Sequence, residues 1–317
     1  MPGLRVAFLG NDPWSVPPLE DLALSAHRPA LVLTRSPRPA GRGNRLRPTA
    51  VAEAARRLDL PLDEIETVKG GRGFDALAAS RPDVMVVVAY GEILPGPVLR
   101  LPRLAPVNLH FSLLPELRGA APVQRAILDG LVSTGVTTMV MAEGLDTGPV
   151  LLQATESIDS EDDAGTLGKR LAAVGGRLLV DTLDRLAAGT IEPIAQDHAL
   201  ATLAPKIGPA DRRIDWTEDA PAVLRRIRAL SPEPTALTAL REVPLKVFSA
   251  RAEEGRGEPG TVLQADKRGL LVAAGEGAVR PIEVAPAGRR RMTSAAFVRG
   301  YRPEVGERLG EVPGGSP

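Results

Sequence analysis

The sequence contains no cysteine among its 317 residues. This absence excludes a disulfide framework, a cysteine nucleophile and a thiolate metal site. The chain also has no run of roughly 18 to 20 apolar residues, the length that a membrane-spanning helix needs. Its first residues, MPGLRVAFLG, turn polar too early for a signal peptide. We therefore expect a cytoplasmic protein with no membrane segment.

Charge of one sign is not in excess either, because 39 basic residues balance 39 acidic ones. The overall field of the protein gives no argument for a nucleic-acid partner, so any such argument must be local. Five of the basic residues are lysine and 34 are arginine, a compositional bias rather than a sign of nucleic-acid binding. A length of 317 residues, 44% of them hydrophobic, predicts about two folded domains.

Short apolar runs alternate with helical patterns in the first part of the chain. Runs of strand length cover 4–9, 30–33, 84–89, 106–109, 136–141 and 149–152, and helical patterns cover 16–24, 51–58, 121–128 and 166–186. Such alternation is typical of an α/β domain with a Rossmann-like, open and mostly parallel sheet covered by helices. The loop after the first strand lacks G-x-G-x-x-G, which disfavours dinucleotide binding.

The pattern changes after Ile191, where prolines separate short segments and one helix is predicted over 220–229. Short apolar runs at 245–248, 260–263 and 270–273 favour a small C-terminal β-barrel or sandwich, of which we expect the OB-like β-barrel. We predict a first domain over 1–188, a linker over 189–208, a β domain over 209–310 and a tail over 311–317.

Three polar residues stand out near predicted strand ends. Asn108 and His110 lie two residues apart, so their side chains point to the same side of an extended segment. Asp146 lies in the glycine-flanked turn GLDTG. Ligands of open α/β sheets bind outside the carboxyl ends of the strands. An amide that donates to an oxyanion, an imidazole that moves protons and a carboxylate that holds the imidazole could together transfer an acyl group to an amine.

The alternative is that these are only satisfied polar residues, since Asp and Gly are common in turns. A longer string speaks against it: Asn-x-His-x-Ser-Leu-Leu-Pro-x-x-Arg-Gly from Asn108, followed by Gly-Leu-Asp-Thr-Gly from Gly144. This string resembles the signature of the 10-formyltetrahydrofolate-dependent formyltransferases. The segments LRVAFLGND, VVVAYGEILP, IDWTEDAPAVLRRIRALSPEP and AGRRRMTSAAFVRGYRPEVGERL extend the resemblance over nearly the whole chain, toward the members that act on methionyl-tRNA.

The resemblance implies roles for seven residues. The catalytic residues would be Asn108, His110 and Asp146, and the tetrahydrofolate-binding turn would be Ser112, Leu113, Leu114 and Pro115. The implied reaction moves a formyl group from the co-substrate 10-formyltetrahydrofolate to the α-amino group of methionine on initiator methionyl-tRNA, without a metal. Asn108 and protonated His110 would stabilise the oxyanion while Asp146 holds His110.

The sequence departs from the family pattern in three places. Gly10-Asn11-Asp12-Pro13 replaces a Gly-Thr-Pro-like turn after the first strand. Glu92 stands where an apolar residue is commoner, and exposure to solvent is the simplest explanation. Pro232-Glu233-Pro234-Thr235 replaces a Pro-aromatic-Pro-Gly turn in the C-terminal part.

The segment from Arg28 to Arg47 carries six arginines and no acidic residue. From Thr34 it resembles the family's arginine-bearing loop, which acts on the acceptor end of tRNA. We therefore expect four of its arginines to contact tRNA phosphates, namely Arg38, Arg42, Arg45 and Arg47. The alternative is a solvated loop in an arginine-rich protein. A second basic set, with weaker support, comprises Arg225, Arg226, Arg228, Arg289, Arg290 and Arg291.

Three other functions stay open at this point. The first is a formyltransferase for a small amine such as a nucleotide or amino sugar, the second is a catalytically idle tRNA-binding protein, and the third is hydrolysis of formyltetrahydrofolate. A C-terminal β domain and an arginine loop favour tRNA over a small amine. We expect a monomer, and we expect His27 and His198 at the surface.

Overall fold

The computed structural model describes residues 3–40 and 45–310 and divides into two compact units. The first unit consists of Met1–Pro122, Ser133–Ser157 and Gly168–Pro205, and the second of Val123–Val132, Ile158–Leu167 and Lys206–Pro317. Arg42 and the predicted tail over 311–317 lie outside the described residues. The domain borders at 188, 209 and 310 stay predictions.

Strands and helices alternate along the first unit. The strands are β1 Val6–Gly10, β2 Pro29–Arg35, β3 Arg38–Ala40, β4 Arg45–Arg47, β5 Leu62–Ile65, β6 Val84–Val88, β7 Ala105–His110, β8 Arg118–Gly119, β9 Ser133–Val140, β10 Val150–Ser157 and β11 Leu203–Ala204. The helices are α1 Val16–Leu24, α2 Ala50–Arg57, α3 Gly71–Ser80, α4 Gly96–Leu99, α5 Pro122–Leu128 and α6 Ala164–Ala188, of which α5 continues into the second unit and α6 begins there.

Seven of these strands form one sheet in the order β10-β9-β7-β6-β1-β2-β5. The strands from β7 to β5 in this order are parallel, while β9 runs antiparallel to β7 and β10 runs antiparallel to β9. All five residues of β1 and all five of β6 are buried, because a parallel sheet is covered on both faces. The predicted Rossmann-like, mostly parallel sheet is confirmed.

The sheet register determines where the site residues lie. Gly10 pairs with Val88, and Val88 pairs with Leu109, so β1, β6 and β7 end at the same edge. Leu109 points toward α6, where a Cβ on Gly175 would approach its side chain to 2.7 Å. Asn108 and His110 alternate with Leu109 and therefore project from the opposite face of the sheet.

Several features of the first unit differ from the sequence predictions. No strand was predicted at β5, because its sequence, LDEI, is half polar and carries no apolar run. The helix α3 was also missed. His27, expected at the surface, is only 2% exposed. Its Nδ1 accepts a hydrogen bond from the backbone N–H of Leu4, and its Nε2 lies 3.0 Å from Asp184 Oδ1, so it ties the chain before β1 to α6.

The second unit is built around an antiparallel sheet. Its elements are α7 Ala220–Ala229, β12 Ala236–Leu240, β13 Val243–Glu253, β14 Val262–Asp266, β15 Gly269–Ala273, β16 Ala278–Pro286, β17 Met292–Thr293, α8 Ser294–Tyr301 and β18 Leu309–Gly310. The sheet order is β14-β15-β16-β13-β12-β18, and β17 pairs with β16.

This sheet curls so that its two ends meet. The N–H of Val262 donates to the carbonyl of Glu307 at 2.7 Å, and the N–H of Leu309 donates to the carbonyl of Gly260 at 2.8 Å. Val223 of α7 and Phe297 of α8 belong to the apolar core inside the curl. The predicted small β-barrel is confirmed as this curled antiparallel sheet.

The turn with the unusual sequence Pro232-Glu233-Pro234-Thr235 precedes β12. Thr235 adopts a φ of +70° and is buried. That left-handed backbone is unfavourable for a β-branched residue and easy for glycine. The departure from the family pattern therefore places a strained residue where glycine is usual.

A buried arginine on β16 links β13 and β14 of the curled sheet. Arg280 on β16 is 2% exposed, and its guanidinium donates to both carboxylate oxygens of Glu253 at 2.7 and 2.8 Å and to Gln264 Oε1 at 2.9 Å. These hydrogen bonds from Arg280, supported by Arg251, lower the pKa of Glu253 to about 2. Since the ordinary value is 4.5, the pair stabilises the fold above that pH and loses its effect as the pH falls toward 2.

We expect Glu253→Gln to cost about 2 kcal/mol at neutral pH, because it leaves a buried guanidinium without its anion. Thermal unfolding of both proteins at pH 7, 4 and 3 tests this, and the difference in Tm should shrink as the pH falls. Glu283→Gln is the matched control, because Glu283 pairs with Arg291 at the surface, where such pairs contribute little. An unchanged difference in Tm at pH 7 and pH 3 would contradict the assignment.

Candidate active site

The structure brings His110 and Asp146 together although they come from different elements. His110 ends β7, and Asp146 lies in the loop between β9 and β10. The imidazole Nδ1 is 3.8 Å from Asp146 Oδ2, with His110 6% and Asp146 16% exposed. This separation is slightly longer than a hydrogen bond, and it would allow the carboxylate to stabilise a protonated imidazole.

The imidazole of His110 is oriented by a backbone carbonyl. Its Nε2 lies 2.9 Å from the carbonyl oxygen of Leu117, so Nε2 carries a proton and donates it to that oxygen. In the neutral ring Nδ1 then has a free lone pair on the side of Asp146. The fixed ring orientation leaves Nδ1 as the atom that gains or loses a proton.

Asp146 is held by its backbone conformation and by Gly119. Its φ is +51°, a left-handed conformation that Asp tolerates better than most residues. Its Oδ2 accepts a hydrogen bond of 2.8 Å from the N–H of Gly119. Gly148 closes the loop, since a Cβ there would lie 1.8 Å from the carbonyl oxygen of Val140. The GLDTG pattern thus meets a steric requirement as well as supplying a carboxylate.

Asn108 offers an unused amide on the same strand. It is partly exposed, and within residues 3–40 and 45–310 its side chain has no hydrogen-bond partner. The alternation of β7 puts it on the face that carries His110. The amide is therefore available to a ligand beside the His110–Asp146 pair.

The turn from Ser112 to Pro115 follows β7, and hydrogen bonds to β9 and β10 fix its backbone. Ser112 is fully buried, and its carbonyl accepts a hydrogen bond from Thr137 Oγ1 at 2.7 Å. The N–H of Leu114 donates to Thr137 Oγ1 at 3.1 Å, and its carbonyl accepts from Gln153 Nε2 at 2.8 Å. Leu113 and Pro115 remain partly exposed. The shape of this turn is thus imposed by β9 and β10, which the sequence alone did not indicate.

The described residues at the end of the arginine segment form two paired strands rather than an extended loop. β3 pairs with β4 in antiparallel register, with Arg38 opposite Arg47 and Ala40 opposite Arg45. The side chains of Arg38 and Arg47 are exposed. Arg42 lies outside the described residues. An exposed arginine thus lies on each of the two strands, at the same end of the pair.

Three arginines of the second basic set already form ion pairs or hydrogen bonds within the protein. Arg226 forms an ion pair with Glu218 at 2.9 Å, and Arg291 pairs with Glu283. Arg228 donates to the carbonyl of Ser160 at 2.7 Å. These three residues have structural roles that make them weaker candidates for tRNA contacts.

The altered loop after β1 joins the ends of three strands. Asn11 Oδ1 accepts hydrogen bonds from Thr34 Oγ1 at 3.0 Å and from the N–H of Arg35 at 2.8 Å, and its Nδ2 donates to the carbonyl of Tyr90. Glu92 is half-buried and accepts from Thr67 Oγ1 at 3.0 Å, so the expectation of simple solvent exposure is wrong. Asn11 therefore fixes the loop after β1 to the ends of β2 and β6.

Two further absences concern metals and membranes. Among residues 3–40 and 45–310, no group of three or more His, Asp or Glu side chains is placed to hold a metal ion. No helix in the described part of the chain is long and apolar enough to cross a membrane.

Comparison with known proteins places the chain in a family. The formyl transferase model matches residues 4–183, and the model of the formyl transferase C-terminal domain matches residues 206–302. Methionyl-tRNA formyltransferase of Aromatoleum aromaticum is 45% identical over 96% of this chain and 97% of its own length. That of Thiobacillus denitrificans is 45% identical over 97% of this chain and 100% of its own length.

A solved structure shares the fold. HypX from Aquifex aeolicus in complex with tetrahydrofolic acid superposes with a TM-score of 0.68 and 20% identity, over 96% of this chain and 48% of that one. The chain belongs to the formyl transferase family and, within it, to the methionyl-tRNA formyltransferases.

Proposed function

We propose that the protein transfers a formyl group from 10-formyltetrahydrofolate to the α-amino group of methionine on initiator methionyl-tRNA. The observation that supports this proposal is the unused amide of Asn108 beside the His110–Asp146 pair. The chain that holds it is 45% identical to methionyl-tRNA formyltransferases. The product, N-formylmethionyl-tRNA, serves translation initiation. This role agrees with a monomeric, cytoplasmic enzyme.

The polar groups of the site fit a formyl donor. 10-Formyltetrahydrofolate supplies an activated carbonyl group, which calls for a hydrogen-bond donor at its oxygen. The amide of Asn108 can donate there. The exposed parts of Leu113 and Pro115 offer apolar contact to a flat ring, so the turn from Ser112 to Pro115 suits the pterin end of the co-substrate.

The three catalytic side chains have different tasks in this proposal. Asn108 donates to the oxygen that becomes negatively charged when the amine attacks. His110 Nδ1, once protonated, donates to the same charge, and its Nε2 stays anchored on Leu117. Asp146 balances the imidazolium and relays the proton that the amine loses to N10 of the co-substrate, where the bond to the formyl carbon breaks and tetrahydrofolate leaves.

The four arginines Arg38, Arg42, Arg45 and Arg47 are proposed to bind phosphates of the tRNA. Two observations support this: the exposed side chains of Arg38 and Arg47 on facing strands, and the absence of acidic residues from 28 to 47. Backbone contacts of this kind release counterions, so binding should weaken steeply with salt.

One assay separates this function from its rivals. The purified protein is incubated with 10-formyltetrahydrofolate and methionyl-tRNA, and N-formylmethionyl-tRNA is measured by mass spectrometry of the aminoacyl group. Parallel reactions contain glycinamide ribonucleotide, an amino-sugar nucleotide or no acceptor. Formyl transfer to a small amine at a higher kcat/KM, or hydrolysis without acceptor at the same rate, would refute the proposal.

Arg47→Ala is expected to raise the KM for methionyl-tRNA about three- to tenfold and to lower the salt slope of tRNA binding by about one. The KM for the formyl donor should stay within twofold of wild type. Arg81→Gln, which changes an exposed arginine at the end of α3, is the control. An equal effect on both KM values would argue against a tRNA contact.

A further inference from the structure

The segment between α6 and the second unit, predicted as a linker, is bonded to the active-site loops. β11 pairs in parallel with β8, with Leu203 opposite Arg118 and Ala204 opposite Gly119. The N–H of Leu117 donates to Thr202 Oγ1 at 2.8 Å. Residues 117 to 119 are thus supported by a strand that lies 85 positions later in the chain.

Gln196 in this segment makes four hydrogen bonds with a single side chain. Its Nε2 donates to the carbonyls of Asp146 at 2.8 Å and Gly148 at 2.7 Å. Its Oε1 accepts from Nε of Arg118 at 3.0 Å and from Nη2 of the same residue at 2.6 Å. Gln196 is 8% exposed, and its amide is fully used.

These bonds join the two backbone segments that orient the catalytic pair. One segment carries Asp146. The other carries Leu117, which anchors His110, and Gly119, which donates to Asp146. Arg118 lies between Leu117 and Gly119 in the chain and is 7% exposed. Gln196 therefore sets the distance between the carboxylate loop and the groups that hold the imidazole.

The Asp146 loop needs such support because of its path. β9 is antiparallel to β7, so Val140 at its end pairs with Val107, three residues before His110. The loop must turn back by roughly 10 Å along β7 to bring Asp146 to His110. It also holds Asp146 at a positive φ, a conformation that persists only where surrounding contacts fix it.

We propose that Gln196 is a positioning residue for formyl transfer, which keeps the Asp146 carboxylate against Nδ1 of His110 through its two hydrogen bonds to the carboxylate loop. This inference rests on the proposed function. Gln196 is nearly buried and its amide has no donor or acceptor left for a substrate. Its removal should therefore lower kcat and leave the KM values for both substrates nearly unchanged.

The decisive variants are Gln196→Met, which keeps the volume and removes the hydrogen bonds, and Gln196→Glu, which keeps the contact to Arg118 but loses both donors. Since small misplacement of a catalytic group costs one to two orders of magnitude, we expect kcat to fall about ten- to a hundredfold in both. His198→Ala, two residues further in the same segment and exposed, should behave as wild type. Leu77→Ala, which removes a buried side chain from α3, controls for lost stability.

A double-mutant cycle with Asp146→Asn separates positioning from general stabilisation. If Gln196 acts through Asp146, Gln196→Met should change kcat less than about twofold in the Asp146→Asn background, because the group that it positions is already lost. A full additional loss in that background, or a wild-type kcat in folded Gln196→Met and Gln196→Glu, would overturn the inference. If wild type makes no N-formylmethionyl-tRNA, the proposed function fails first and the inference falls with it.

Discussion

Asn108→Ala is expected to lower kcat about a hundredfold or more, with the protein still folded. An oxyanion donor contributes roughly 3 to 4 kcal/mol to the transition state. The amide of Asn108 has no hydrogen-bond partner within the described residues, so its removal breaks no hydrogen bond among them. The substitution should therefore change the free energy of unfolding only slightly, although it lowers kcat strongly.

Steady-state kinetics with both substrates varied, together with the Tm, test this expectation. Since the donor acts mainly on charge that develops during the reaction, kcat should fall far more than either KM rises. Asn108→Asp is an informative second variant, because it keeps the shape and places a negative charge where charge develops. It should be at least as slow as Asn108→Ala. A turnover within threefold of wild type in Asn108→Ala would remove Asn108 from the catalytic residues.

Periodicity predicted the central sheet because β1 and β6 are continuous apolar runs, which only burial on both faces explains. It failed at β5, whose sequence is half polar. It also failed at β8 and β11, which are two residues long and exist only because they pair with each other. Local sequence carries no signal for an element whose stability comes from a partner 85 positions away.

The active site shows the same division. The side chains of Asn108, His110 and Asp146 were identified as candidates from the motif, because the sequence specifies the chemical type of each side chain. The groups that orient His110 and Asp146 are the backbone carbonyl of Leu117 and the N–H of Gly119, and such backbone groups are common to nearly all residue types. Gln196 was assigned to a linker, because the strand and helix pattern of the first domain stops near Ile191 and prolines separate the segments that follow. Only the folded chain brings it to the Asp146 loop.

The second large effect is expected for Asp146→Asn, which should lower kcat by about two to three orders of magnitude. Removal of the charged, hydrogen-bonded partner of a catalytic histidine costs about four orders elsewhere, and the loss should be smaller here because Asp146 lies 3.8 Å from the imidazole. The side chain keeps its size, and its amide oxygen can still accept from Gly119. What is lost is the negative charge 3.8 Å from His110 Nδ1. Without it, a protonated imidazole is less favoured.

The pH dependence distinguishes this loss from a structural one. We expect the kcat profile of Asp146→Asn against pH to differ in shape from that of wild type, because the variant lacks the charge that faces His110 Nδ1. A variant with displaced loop geometry but an intact carboxylate, such as Gln196→Met, should lower kcat with less change in the shape of the profile. If Asp146→Asn shows the wild-type profile at reduced height, the carboxylate serves Gly119 and the loop rather than the imidazole, and the proton of the attacking amine must leave by another route.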